Sequence, residues 1–249
     1  AGVELACFPL YSLRSYRTLG LYEARECAEV VWGDRDIFQR VRIHRPSDIP
    51  AWEGVRLLLN RTVDCVAARA GIAYAGYVAV QVYLALGGAD LATRGEYAPT
   101  YRARRERLRA AGAIFGSRDL LERFEWAAAV KLGESGNGSE PAAPPPAAYE
   151  ADLLGSLGML LGRYLGRVVT PAEGVRLVRH RMCHPAHRAM YLRRHWRKLR
   201  RWPSMLAGDP MLALWGDAVA VLEGRLALAP PALAELYHDF KATHQPLPR

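Results

Sequence analysis

Apolar residues recur every three or four positions from Trp52 onward, with Val55, Leu59, Val63 and Val66 on one stripe. That period is the signature of an amphipathic helix, expected over Asp48–Ala68. Asp48 stands where it can cap the first turn, and Pro50 where a missing N–H costs little. Arg61 points away from the stripe and Asn60 sits at its border. Similar patterns predict further helices over Leu19–Val31, Ile72–Leu91, Tyr97–Ala111, Ser117–Leu132 and Tyr149–Val168. A Thr170-Pro171-Ala172-Glu173 capping box opens another that ends near Cys183, and Pro185–Arg201, Asp209–Leu226 and Pro230–Lys241 follow. Only Val3–Phe8 alternates at strand period, with Val3, Leu5 and Cys7 on one face and Glu4 on the other. The fold class is therefore mostly α, a multi-helix bundle with a short N-terminal β remnant.

One stretch is different in kind. Gly133–Ala148 has no large apolar residue and nothing to bury, so it reads as a linker or surface loop. It separates a helical region over 47–132 from a second, basic helical region over 149–249, with residues 1–46 ahead of both. In the second region Gly158, Gly162 and Gly166 recur every four residues, a row of small residues that lets another helix approach closely.

With 249 residues, half of them apolar, the chain can bury a real core. Four scattered cysteines, Cys7, Cys27, Cys65 and Cys183, follow no disulfide or zinc spacing. They read as reduced, buried residues in a cytoplasmic protein. Ile72–Ala92 is long enough to span a bilayer, but Gln81, Asp90 and Gly87-Gly88 favour a buried helix and no membrane association. The chain starts at Ala1 and runs straight into apolar sequence without a leader pattern, so a fragment or processed chain is expected.

The net charge of +9 is placed unevenly, +1 through Glu150 and +8 from Ala151 onward. From Arg176 to Arg201 there are ten Arg or Lys residues, four His and no acid. Arg188, Arg193, Arg194, Arg197, Arg200 and Arg201 surround an apolar stripe there, a surface suited to RNA or DNA through phosphate contacts and base stacking. The plain alternative is a solvated helix face, because arginine outnumbers lysine 31 to 3 across an Ala- and Gly-rich chain. His180, Cys183, His184 and His187 carry zinc-ligand chemistry, but Pro185 breaks their helical face and the surrounding charge repels a cation. Arg179 and His184 form an Arg-x4-His pair that resembles the ribonuclease motif of HEPN-type domains, a spacing that abundant arginine also produces by chance. No Gly-rich phosphate loop, G-x-S-x-G or H-E-x-x-H motif occurs.

Several words of the first half belong together. They are Val3-Glu4-Leu5, Leu21-Tyr22-Glu23, Val31-Trp32-Gly33-Asp34, Asp48-Ile49-Pro50, Leu57 through Arg61, and Tyr97-Ala98-Pro99-Thr100-Tyr101 leading into Arg104, Arg105 and Leu108. In this order they resemble the downstream part of nucleotidyltransferase-like proteins of the DNA polymerase β superfamily, in which a small catalytic domain precedes a helical one. The resemblance implies transfer of a nucleotide from an NTP, with Mg2+ held by an Asp-x-Asp pair beside a Gly-Ser turn and by a third carboxylate on a later strand. It offers Glu4 as that third carboxylate and metal ligand, and Asn60 and Arg61 as residues lining or bracing the substrate cleft. The Gly-Ser and Asp-x-Asp positions fall ahead of Ala1, since Gly116-Ser117 lies too far downstream, and Gln81 stands where a lysine is expected. This chain alone is accordingly expected to be inactive. The alternatives are a non-enzymatic nucleic-acid-binding module using the 176–201 run, or a helical interaction domain.

Overall fold

A computed structural model describes Leu13 and residues 17–134, 143–181 and 210–244. Within these residues nine helices follow in order: α1 (Leu19–Cys27), α2 (Trp52–Arg69), α3 (Ala75–Thr93), α4 (Tyr101–Ala111), α5 (Arg118–Leu132), α6 (Pro146–Leu165), α7 (Pro171–Arg181), α8 (Pro210–Leu222) and α9 (Pro230–His244). The mostly helical class is as the periodicity indicates. Among the described residues there is no strand, only an isolated bridge between Ile114 and Ser117, and Val3–Phe8 lies outside them.

α2 is the hub. It packs against α3, α6, α8 and α9, and its stripe of Val55, Leu59, Val63 and Val66 is buried. Burial spreads further round the helix, to Leu58, Thr62, Cys65 and Ala67, because helices close on it from several sides. α3 is buried along most of its length between α2, α5 and α6. It is long and apolar enough to cross a membrane, and most of that apolar surface is covered by the other helices. Its Asp90 is buried yet satisfied, paired with Arg94 at 2.5 Å and accepting the Phe115 N–H at 3.3 Å. Burial still pushes that carboxyl above its ordinary value, against the pull of Arg94.

Local signals set most ends. Thr18, Thr100 and Ser117 cap α1, α4 and α5 through side chains that accept from the amides of Leu21, Ala103 and Leu120. Thr170 accepts the Glu173 N–H, but Glu173 turns to Arg167 instead of completing the box. Asp48 corrects the expected cap of α2. It closes a short 3-10 turn, Pro46–Asp48, by accepting the amides of His44 and Arg45, which hold its carboxyl below the usual range. α2 then starts from Ala51, which is already in helical geometry.

α6 begins at Pro146, inside the segment expected as linker, since proline suits the first helical position. It stops at Gly166, whose φ of 71° is left-handed. The row of small residues on α6 meets the chain's own return and the first residue of α7, which packs on α6. A Cβ on Gly158 would stand 3.3 Å from Pro171, and one on Gly162 3.0 Å from the Arg167 carbonyl.

The helices on the two sides of Gly133–Ala148 share one core. Tyr149, Leu153 and Leu157 of α6 join the cluster that holds Val63 and Val66. Arg69, at the end of α2, ties them electrostatically: its Nε and Nη2 reach Glu150 at 3.0 and 2.5 Å, and its Nη1 donates to the Val221 carbonyl at 3.0 Å. Burial pushes the neighbouring Tyr149 hydroxyl up to about 12.

Two substitutions test this packing. Gly87 lets α5 close on α3, because a Cβ there would lie 2.5 Å from the Phe124 ring and 2.8 Å from Leu108. Gly87→Ala is expected to destabilise by about 2 kcal/mol despite alanine's roughly 1 kcal/mol propensity gain, as measured by urea unfolding. Arg69→Met leaves the buried Glu150 carboxylate without its cation. It should cost about 2 kcal/mol in the same assay, less than for a fully buried pair because Arg69 is partly solvated.

Candidate functional site

Words that stand far apart in the chain meet at one cleft of about 250 Å³. α1 supplies Leu19, Gly20 and Glu23; α2 supplies Arg56, Leu57 and Arg61; α3 supplies Gln81, Leu84 and Ala85. Tyr97 and, from α4, Tyr101 and Arg104 complete the wall. The wall carries three guanidinium groups and a single carboxylate.

Each arginine is held differently. Arg104 is 6 % exposed and saturated: its Nε donates to the Ala98 carbonyl at 2.7 Å, and its Nη2 to the Pro99 carbonyl at 3.0 Å and to Glu23. Its guanidinium carbon lies 4.4 Å from the Tyr97 ring centre and 4.8 Å from that of Tyr101, so two aromatic faces share the cation. The Tyr97 hydroxyl donates to Glu23, and burial pushes that hydroxyl well above its usual range, so it stays protonated as a donor. Arg56 forks onto Glu53, with Nε and Nη2 each 2.7 Å from a carboxylate oxygen. The same buried Glu53 accepts the Leu19 N–H at 3.0 Å, which fixes the start of α1 against α2.

Arg61 is the least committed. Its Nη1 lies 2.8 Å from Asp64 and 3.4 Å from the Gln81 amide oxygen, while its Nε is buried and unpartnered. The Asn60 amide oxygen is likewise buried without a hydrogen-bond partner. These two neighbours are the only such atoms on α2, and an unsatisfied buried polar group is costly enough to need a reason.

Of the expected site residues, Arg61 lines the cleft and faces Gln81, the position where the resemblance calls for a lysine, whereas Asn60 is not part of the wall. Glu4 and Arg188, Arg193, Arg194, Arg197, Arg200 and Arg201 lie outside the described residues, as do Cys183, His184 and His187. Among the described residues no group of three or more His, Cys, Asp or Glu side chains converges. Sequence reasoning does not single out Arg56, Glu23, Tyr97, Tyr101 or Arg104 as cleft residues. The signal for them is nonetheless there, since four of the five belong to the words that carry the resemblance.

The chain matches no known protein family, no curated protein and no solved structure. Chemically, the cleft presents fixed positive charge on a mixed apolar and aromatic wall. That arrangement suits an anionic group borne by a larger, partly hydrophobic molecule.

A second concavity, of about 690 Å³, lies between α6 and the return into α7. Its wall is mostly apolar, with Arg163 and Arg167 as its charged members, and no convergent polar groups give it chemistry.

Glu23 is the brace of the site. Glu23→Ala leaves the buried Arg104 guanidinium without a carboxylate, held only by two carbonyls and two tyrosine faces, and is expected to cost about 2 kcal/mol in urea unfolding. Glu23→Gln, which keeps an acceptor for Tyr97, should cost distinctly less.

Proposed function

We propose that this chain forms the helical part of a nucleotidyltransferase that moves a nucleotide from an NTP to an acceptor, with Arg61 on the substrate-facing side. One observation carries the reading. Glu23, Leu57, Arg61, Tyr97, Tyr101 and Arg104, drawn from the words that resemble such enzymes, line one cleft although they run from the first helix to the fourth.

In nucleotidyl transfer an acceptor oxygen attacks the α-phosphorus and pyrophosphate leaves, so charge builds on phosphate oxygens. Guanidinium groups held in advance stabilise that charge without reorganising. Arg56 and Arg61 are oriented by Glu53 and Asp64, which supports this role. Magnesium, when bound, neutralises the triphosphate, and the reading assigns it to Glu4 together with an Asp-x-Asp pair ahead of Ala1.

The intact coding sequence, expressed and assayed with labelled nucleoside triphosphates, is expected to transfer label to an acceptor. Arg61→Ala should lower that transfer by about tenfold or more while leaving the melting temperature near that of the parent. Absence of transfer with every NTP, or of a Gly-Ser turn and Asp-x-Asp pair shortly before Ala1, overturns the reading.

A further inference from the structure

We infer that the cleft between α1, α2 and α4 binds a phosphate group, held between the Arg56 and Arg61 guanidiniums and the first turn of α1. The inference rests on the reading of this cleft as substrate-facing and narrows it to a ligand chemistry.

Size comes first. At about 250 Å³ the cleft is smaller than the roughly 300–1,000 Å³ pockets that enclose a whole drug-sized ligand. It suits a compact anionic group, with the rest of the molecule outside.

Charge comes second. Three arginines face the cleft, whereas Glu53 and Asp64, which orient two of them, stand behind its wall. The one carboxylate on the wall, Glu23, is already engaged by Arg104 and the Tyr97 hydroxyl. The local balance at the surface of the cleft is therefore positive. The unpartnered Arg61 Nε is buried, so the outer nitrogens of that guanidinium are the ones that reach the cleft, and guanidinium forks match phosphate oxygens in pairs.

The third observation is the entry of α1. Leu19 and Gly20 open this nine-residue helix and both line the cleft; Glu53 takes the Leu19 N–H and Thr18 the Leu21 N–H, which leaves the exposed Gly20 N–H as the donor that the first turn can offer an anion. Gly20 has no side chain to obstruct an anion, and a Cβ there would meet no atom within 4 Å. Its φ is not in the left-handed region, so another residue fits without strain.

Gly20 provides a test in which fold and binding move in opposite directions. An aspartate in the first turn favours the helix, yet it places a carboxylate where the anion would sit. The protein is titrated with inorganic phosphate, pyrophosphate, ATP and glucose 1-phosphate, with acetate and chloride at matched ionic strength as controls, and its thermal midpoint is followed. Phosphate and pyrophosphate are expected to raise the midpoint more than acetate or chloride does. Gly20→Asp should bind pyrophosphate about tenfold more weakly, or worse, with an unchanged or higher midpoint of its own. Arg61→Gln, at a partly solvated position, should show a similar loss and serves as the reporter if Gly20→Asp fails to fold.

A larger shift with ATP than with glucose 1-phosphate assigns the phosphate to a nucleotide, and the reverse assigns it to the acceptor. Either result supports the site. Shifts no larger than those of acetate, or shifts that survive in the folded variants, overturn it and place any anion binding elsewhere on this arginine-rich chain. Phosphate binding without nucleotidyl transfer by the intact protein would retain the site and discard the enzymatic reading. Transfer without phosphate binding here would do the opposite.

Discussion

Helices close on α2 from several sides, and that enclosure dictates what its polar residues must do. A charged group on such a helix needs a partner or a cleft, because desolvation without compensation is among the most expensive events in folding. Glu53 meets the requirement by taking Arg56 and the Leu19 amide together. Thr62 returns its hydroxyl to the Leu59 carbonyl at 2.7 Å. Arg69 reaches out of the helix to Glu150 and Val221 and thereby joins α2 to α6 and α8. One helix thus builds the cleft at its first half and fastens the remaining helices at its end.

The parts that were legible in the sequence are the local ones. Helical spacing of apolar residues and the start of α5 behind Ser117 depend on neighbours within a turn or two and are where the pattern indicates, whereas α4 starts at Tyr101 behind a Thr100 cap and not at Tyr97. Asp48 misled because it precedes two possible starts: its carboxylate serves a 3-10 turn, and α2 begins later. The glycine row was legible in part, since Pro171 of α7 does close on Gly158. Spacing shows that a close approach occurs, but not that the approaching backbone is residues 167–171 of the same chain. Gly87 and Gly88 fit the buried helix that the sequence indicates, and Phe124, Leu108 and Leu57 are the side chains that close on them.

The cleft was legible only as a set of words with no stated relation. Glu23 and Arg104 are 81 positions apart, and no periodicity links them. What joins them is the third dimension: α1 is fixed by Glu53, and Arg104 is fixed by two carbonyls and two tyrosine faces. Arg61 combines a contact within its own helix with a place on the cleft wall. Its ion pair with Asp64, three residues on, is the ordinary stabilising contact of a helix surface. The same pair leaves Nε free and turns the guanidinium toward Gln81 and the cleft.

Arginine abundance therefore says little about function, while arginine partnering says more. Arg109 shares Glu125 with Arg105, and its own guanidinium is more than half exposed, where such a pair contributes little. Arg104 spends its donors on the fold and its charge on Tyr97, Tyr101 and Glu23, so it shapes the cleft more than it can serve a ligand. Arg61 is the contrast, a partly buried cation with a donor left over, beside an asparagine with an acceptor left over, on a helix whose other buried polar groups are satisfied. Among the described residues, the Trp126 Nε1 and the Tyr149 hydroxyl are likewise buried without a hydrogen-bond partner on other helices, so what sets Arg61 apart is less the unmet donor than its place on the cleft wall, where Asn60 does not reach.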